Sequence, residues 1–243
     1  MREIRIYVDQ PLAADTEATL PDAAAHHLVR VLRLGTGAKI HVFNGNGSQF
    51  SAEIIEIRGR QHFRVRVGQA EQPPAEATID VTVAQAIGRG ERMDWCVQKT
   101  TELGVARIQP LFTERTEVRL DGQRLQRRLA HWQGVAIAAA EQSGRLSVPQ
   151  VAPPVTLDDI VLVDGLNMVL HPRGGLEPHD LSTATSRRFM VIIGPEGGFS
   201  DTEVDTLIKR GCSCLSLGHR ILRTETAGPA VLAMLHSRFG DWS

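Results

Sequence analysis

Apolar residues recur along this chain with two periods, and the period changes about a third of the way in. Near the start, Ile4, Ile6 and Val8 alternate with polar residues, the pattern of a half-buried strand. Residues 39–43 repeat it, followed by the turn-forming run Asn44-Gly45-Asn46-Gly47. Two further strands are predicted over 50–57 and 62–67, joined at Arg58-Gly59-Arg60-Gln61. In the second, Phe63, Val65 and Val67 alternate with His62, Arg64 and Arg66. A period of two places those basic side chains on one face and the apolar ones on the other. One helix is predicted over 21–32, with Asp22 in its first turn. Short strands and a single helix describe a compact barrel-like module. The polar stretch 69–78, with Pro73 and Pro74 in tandem, reads as a linker, because paired prolines favour extended chain without a packed core.

Beyond the linker, strand and helix patterns alternate, the signature of an α/β fold with a largely parallel sheet. Strands are predicted over 79–87, 105–112, 161–163, 168–170, 189–193 and 212–217. A helix over 91–103 carries Met93, Cys96, Val97 and Leu103 near helical spacing and stops at Gly104. A long helix over 125–142 ends at Gly144. Ser200-Asp201-Thr202-Glu203 forms a capping box opening a helix over 200–210. The last helix, 226–239, has Pro229 in its first turn, where proline is tolerated.

Composition narrows the class. The 243 residues carry a formal charge of -1, with 42% hydrophobic and 23% charged residues, ordinary for a soluble globular protein of one or two domains. Near-neutral charge argues against gripping nucleic acid by bulk electrostatics, but leaves room for a local patch. There is no apolar run of ~20 residues to span a membrane, and the first residues lack the apolar stretch of a signal peptide. Cys96, Cys212 and Cys214 form no CxxC pair, so neither a disulfide framework nor a metal site is expected, and a reducing cytoplasm is the natural setting.

The candidate chemistry gathers at three places where a strand gives way to a loop. Ile193-Gly194-Pro195-Glu196-Gly197-Gly198-Phe199-Ser200 joins an apolar strand to the capped helix. Its glycines would let backbone amides approach a ligand, although the spacing is neither GxGxxG nor a P-loop, and a plain tight turn explains it equally well. Leu217-Gly218-His219-Arg220-Ile221-Leu222-Arg223-Thr224-Glu225-Thr226-Ala227 also leaves a strand and enters a helix. Threonine caps and a glutamate at the positive helix end explain part of it, but not the apolar pair Ile221 and Leu222 within a loop. A third loop end is Leu170-His171-Pro172-Arg173, where a lone histidine is more often structural than catalytic. Loops at the carboxyl ends of strands are where α/β sheets bind ligands. In the N-terminal module, His26, His27, Arg30 and Arg33 form a second basic group beside Arg64 and Arg66. Arginine and histidine can pair with phosphate or stack on bases; a solvated face is the plainer reading.

Taken in order, these stretches resemble the bacterial RsmE family, the 16S rRNA uridine-N3 methyltransferases of the SPOUT class. The similarity rests on His26 to Arg33 (HHLVRVLR), Arg92 to Gly104 (RMDWCVQKTTELG), Ala140 to Arg145 (AEQSGR), Ile193 to Ser200 (IGPEGGFS) and Leu217 to Ala227 (LGHRILRTETA). His219 departs from it, standing where a small residue or proline is expected. The resemblance implies a PUA-like RNA-binding domain over 1–72 and a SPOUT methyltransferase domain with a deep trefoil knot over 73–243. It implies a homodimer acting on 16S rRNA within the small ribosomal subunit, with S-adenosyl-L-methionine (SAM) as cofactor and no metal. The cofactor residues it implies are Leu170, His171, Ile193, Gly194, Pro195, Gly197, Gly198, Leu217, Gly218, Ile221, Leu222, Thr226 and Ala227.

For the reaction, Glu225 or Glu196 is a candidate general base, and Arg223 a candidate to hold an RNA phosphate or a developing uridine anion. His26, His27, Arg30, Arg33, Arg64 and Arg66 are the candidate RNA contacts. Three other readings stay open on the residues alone: methylation of another atom such as a ribose 2'-hydroxyl, a non-catalytic RNA-binding protein, and a nucleotide-binding module.

Overall fold

The structure is a computed structural model and describes residues 3–22, 24, 28, 32–58, 62–71, 79–118, 120–172, 175–183, 186–240 and 242. The chain divides into two units: Met1–Glu76 with Ala140–Val148, and Ala77–Ala139 with Pro149–Ser243.

The first unit is built on a five-stranded sheet of β1 (Arg5–Tyr7), β2 (Glu17–Thr19), β3 (Lys39–Phe43), β4 (Gln49–Arg58) and β5 (His62–Glu71), in the order β1-β3-β4-β5-β2. Its longest pairing is antiparallel β4 with β5, running from Gln49↔Glu71 to Arg58↔His62. The alternation in β5 is realised as predicted. Phe63, Val65 and Val67 are fully buried beside Val42, Ile54 and Leu28, while Arg66 points outward. Burying each such side chain stabilises by about 1.5–3 kcal/mol. The Asn-Gly-Asn-Gly run turns with Gly45 and Gly47 at φ of 87° and 86°. At the predicted first helix, Asp22, Ala24 and Leu28 are helical. It ends in a left-handed residue, Arg33 (φ 53°), with the Leu34 N–H bonded back to the Leu28 carbonyl at 3.0 Å, a reversed helix terminus.

The linker reading needs correction at its start. Gln69, Ala70 and Glu71 continue β5, with Ala70 and Glu71 paired to Phe50 and Gln49 of β4; 72–78 lie outside the described residues.

The second unit carries a parallel sheet in the order β12-β10-β11-β6-β7-β8, with β9 also on β7. The strands are β6 (Asp80–Ala86), β7 (Arg107–Phe112), β8 (Gln150–Val151), β9 (Val155–Thr156), β10 (Leu166–Leu170), β11 (Arg188–Ile193) and β12 (Ser213–Leu215). The central strands are mostly apolar because both faces are covered: Phe189 to Ile193 and Val81 to Ala86 are buried throughout, the polar Thr82 and Gln85 included. The helices are α1 (Arg92–Glu102), α2 (Gly122–Ser143), α3 (Asp201–Lys209) and α4 (Thr224–Phe239), with a 3-10 turn at Pro178–Thr183. The capping box of α3 forms: the Glu203 N–H bonds Ser200 Oγ at 3.3 Å and the Ser200 N–H bonds Glu203 Oε2 at 2.9 Å. No helix is long and apolar enough to cross a membrane among the described residues.

Two sequence expectations fail in this unit. Residues 161–163 form no strand: Val161 is 83% exposed, and Asn167 occupies the Val163 backbone, accepting from its N–H and donating to its carbonyl at 3.0 Å each. Short strands β8 and β9 extend the sheet instead. Helix α4 starts at Thr224, two residues earlier than predicted, so Pro229 lies beyond the first turn and withholds the N–H that would bond the Glu225 carbonyl.

Candidate active site

Strands β11, β10 and β12 are neighbours and parallel, so their carboxyl ends emerge side by side. The loops that leave them surround one cavity of about 890 Å³, within the range of small-molecule sites. The β10 end contributes Leu170 and His171. The β11 end contributes Ile193, Gly194, Pro195, Glu196, Gly197, Gly198 and Phe199. The β12 end contributes Leu217, Gly218, Ile221, Leu222 and Arg223, and the first turn of α4 adds Glu225 and Ala227. Thr226 is not on this cavity; it faces a second one of about 570 Å³, whose lining also includes Arg92, Arg223 and Glu225. His219 is exposed and lies on neither cavity.

The backbone of these loops depends on glycine at two kinds of position. Gly198 and Gly218 take positive φ of 67° and 84°, a region that side chains disfavour. Gly194 instead is closely packed: an added Cβ would stand 3.2 Å from both the Phe199 ring and its backbone nitrogen, so the loop would have to give by a few tenths of an ångström.

Thr224 ties the loops together. Its hydroxyl donates to the Gly194 carbonyl at 2.6 Å and accepts from Gln85 Nε2 at 2.8 Å. The expected capping role is therefore wrong: α4 has Arg223 at its N-cap and no side-chain cap, because the threonine hydroxyl serves the neighbouring loop. Gln85 is buried in β6 and in turn accepts from Cys96 Sγ at 3.3 Å. Burial, with Glu225 adding to it, pushes the Cys96 thiol up to about 12, so it stays a neutral donor. On the other side of the loop, Arg115 donates to the carbonyls of Gly197 (2.8 Å) and Phe199 (3.2 Å).

The charged wall centres on Arg92. Its guanidinium meets Glu196 Oε1 at 2.5 Å and Glu225 Oε2 at 3.7 Å. Partial burial works to raise the Glu196 pKa, but the Arg89 backbone N–H (2.9 Å), its own N–H and Arg92 together hold it below the usual carboxylate value. Glu225 differs: its Oε2 is buried and makes no hydrogen bond. Arg223 is exposed at the junction of the two cavities.

Sequence reasoning missed Arg92, Arg115 and Gln85 as site residues. Gln85 carried a readable signal, a polar residue within an apolar strand that must be both-face buried. Arg92 opens the second of the matching stretches. Arg115 lies in an unremarked loop after β7, and no local pattern marks it.

In the first unit, the expected basic face is partly neutralised. Arg64 pairs with Glu17 and with Glu56 (3.2 Å). Arg33 and Arg66 are exposed. His26, His27 and Arg30 lie outside the described residues, as does the side chain of His62.

Comparison with known proteins agrees with this layout. The model of the RNA methyltransferase domain family matches residues 75–236, and that of the RNA methyltransferase PUA domain matches residues 20–68. A ribosomal RNA small subunit methyltransferase E of Buchnera aphidicola is 30% identical over 98% of this chain and 94% of its own. A Legionella pneumophila protein, solved in complex with the bound cofactor SAM, is 37% identical with a TM-score of 0.93, covering 99% of this chain and 100% of that one. A ribosomal RNA small subunit methyltransferase E of Neisseria gonorrhoeae, solved bound to S-adenosyl methionine, is 31% identical with a TM-score of 0.90, covering 100% of both chains. The two domains are thus those of RNA methyltransferases. The chain belongs to the RsmE family of small-subunit ribosomal RNA methyltransferases.

Proposed function

We propose that this protein transfers a methyl group from SAM to N3 of a specific uridine in 16S rRNA of the small ribosomal subunit. In this reading it works in the cytoplasm as a homodimer, residues 1–72 bind RNA, and residues 73–243 form a SPOUT domain with a trefoil knot. The observation that carries the proposal is the convergence of three loop ends on one cavity that is apolar on one side and charged on the other. Two full-length relatives were solved with this cofactor. Exposed Ile221, 82% accessible at the cavity rim, supports a covering subunit.

The cavity fits the cofactor on its own terms. Leu170, Ile193, Leu217 and Leu222 supply apolar walls for an adenine ring, and the glycine-rich turn offers backbone groups to its polar edge. When bound, SAM supplies a methyl group already activated by its sulfonium charge. The chain's part is to orient the uridine, which can account for a large share of the barrier, and to handle the N3 proton. Glu225, with a buried oxygen free of hydrogen bonds, is the better placed base. Glu196 is held ionised by three donors and so is a weak base; we assign it to fixing Arg92. Arg223 is placed to hold a phosphate or the uridine anion.

The test is to incubate the protein with labelled SAM and unmethylated small subunits, digest the RNA and identify the labelled nucleoside. Label in 3-methyluridine is expected. Label in a ribose-methylated nucleoside would overturn the assigned atom, and neither label nor SAM binding would overturn the reaction.

A further inference from the structure

The second cavity, of about 570 Å³, adjoins the one assigned above to the cofactor, and its lining differs in kind. Arg89, Arg92, Trp95, Arg223, Glu225 and Thr226 all face it. Trp95 is 43% exposed, a large apolar ring left facing solvent. Arg92 precedes it by three residues on α1, which puts the two side chains on one helix face. Arg92 and Arg89 are engaged by Glu196 and Glu117 respectively, whereas Arg223 is exposed and forms no ion pair among the described residues. Arg92, Arg223 and Glu225 border both cavities, so a group seated in the second lies beside the first.

An accessible aromatic face, an uncommitted guanidinium and a carboxylate acceptor match the three parts of a pyrimidine nucleotide: a ring to stack, a phosphate to pair and an N–H to receive. An enzyme acting on a ring atom must take that base out of its stack, and an aromatic platform repays the unstacking. We propose that this second cavity is the seat of the target nucleotide, with Trp95 stacking on the extruded uracil and Arg223 holding a flanking phosphate. This rests on the reading of the protein as a uridine methyltransferase and adds the residue that positions the base. Trp95 touches substrate in this proposal but moves no proton.

Two measurements test it. Tryptophan fluorescence is followed while a uridine-containing single-stranded RNA is titrated into wild type and Trp95→Phe. Quenching is expected in wild type and should be lost in Trp95→Phe, which leaves as emitters Trp242 and buried Trp132, neither of them on this cavity. In parallel, methyl transfer to unmethylated small subunits and SAM affinity are measured for Trp95→Ala and Trp95→Phe. Transfer should fall roughly 5- to 150-fold in Trp95→Ala, the range that base–aromatic stacking supports, with SAM affinity kept and most transfer restored by phenylalanine. No quenching in wild type, equal quenching in Trp95→Phe, or full transfer by Trp95→Ala would overturn the proposal. So would a change of oligomeric state in Trp95→Ala without quenching, which assigns the ring to a subunit interface. Wild type that is quenched by RNA yet transfers no methyl group would count against the reaction while upholding the nucleotide seat.

Discussion

Replacing Thr224 with valine removes one oxygen and keeps the shape of the side chain. That oxygen holds two bonds: it donates to the Gly194 carbonyl at 2.6 Å and accepts from Gln85 Nε2 at 2.8 Å. Gln85 is 2% exposed and would keep only the Ala86 carbonyl, at 3.1 Å, for that amide. Leaving a buried donor without its partner costs about 1–3 kcal/mol. For a unit of this size, each kcal/mol lowers Tm by about 2–4 °C, so a fall of roughly 2–12 °C is expected. The lost bond also frees the loop that begins at Gly194. If about 1.4 kcal/mol of the loss falls on that loop's bound geometry, SAM affinity drops tenfold. Calorimetric melting and SAM titration of Thr224→Val read both effects, and Thr224→Ser, which retains the hydroxyl, should stay near wild type. A valine variant that melts and binds as wild type does would refute the idea that this hydroxyl holds the loops in register.

Three further outcomes are expected. Glu196, whose pKa is lowered in the folded state, stabilises the protein above the ordinary glutamate value of about 4.3 and loses that contribution as pH falls. Urea unfolding across that window should therefore be flatter in Glu196→Gln. Glu141 behaves oppositely: burial, against the Tyr7 N–H bond that lowers it, pushes its pKa from 4.5 up to about 7, so stability should decline as pH rises between those values. At about 1.36 kcal/mol per unit the shift amounts to roughly 3 kcal/mol. Glu141→Gln should be more stable than wild type at pH 8, since an amide oxygen can still accept from Tyr7, and similar to it at pH 4.5; equal stability at both would refute this. In the RNA-binding unit, Arg33→Ala with Arg66→Ala should weaken small-subunit binding and flatten its salt dependence, whereas Arg64→Ala, already paired with two glutamates, should do much less; the reverse order in a filter-binding series would contradict the assignment.

The alternating code of β5 was legible because the sheet has one buried face, and the apolar runs of β6 and β11 because theirs has two. The three loop ends could be named in advance since each follows a predicted strand. The strand predicted at 161–163 failed because valines in a loop look like valines in a strand; what separates them is Asn167, whose side chain replaces a neighbouring strand. Thr224 was misjudged for a similar reason. A threonine before a helix is usually a cap, and only the fold brings Gly194 and Gln85 within its reach. Arg92 and Arg115 come from after other strands, so their place in the site depends on strand order, which no local pattern encodes.

The claim on which everything else rests is that the cavity formed at the ends of β10, β11 and β12 holds the methyl donor. A crystal structure of the protein grown with SAM tests it in one step. The cofactor is expected in the 890 Å³ cavity, against Leu170, Gly194, Leu217 and Leu222. Cofactor bound elsewhere, or that cavity filled by an RNA nucleotide instead, would contradict it.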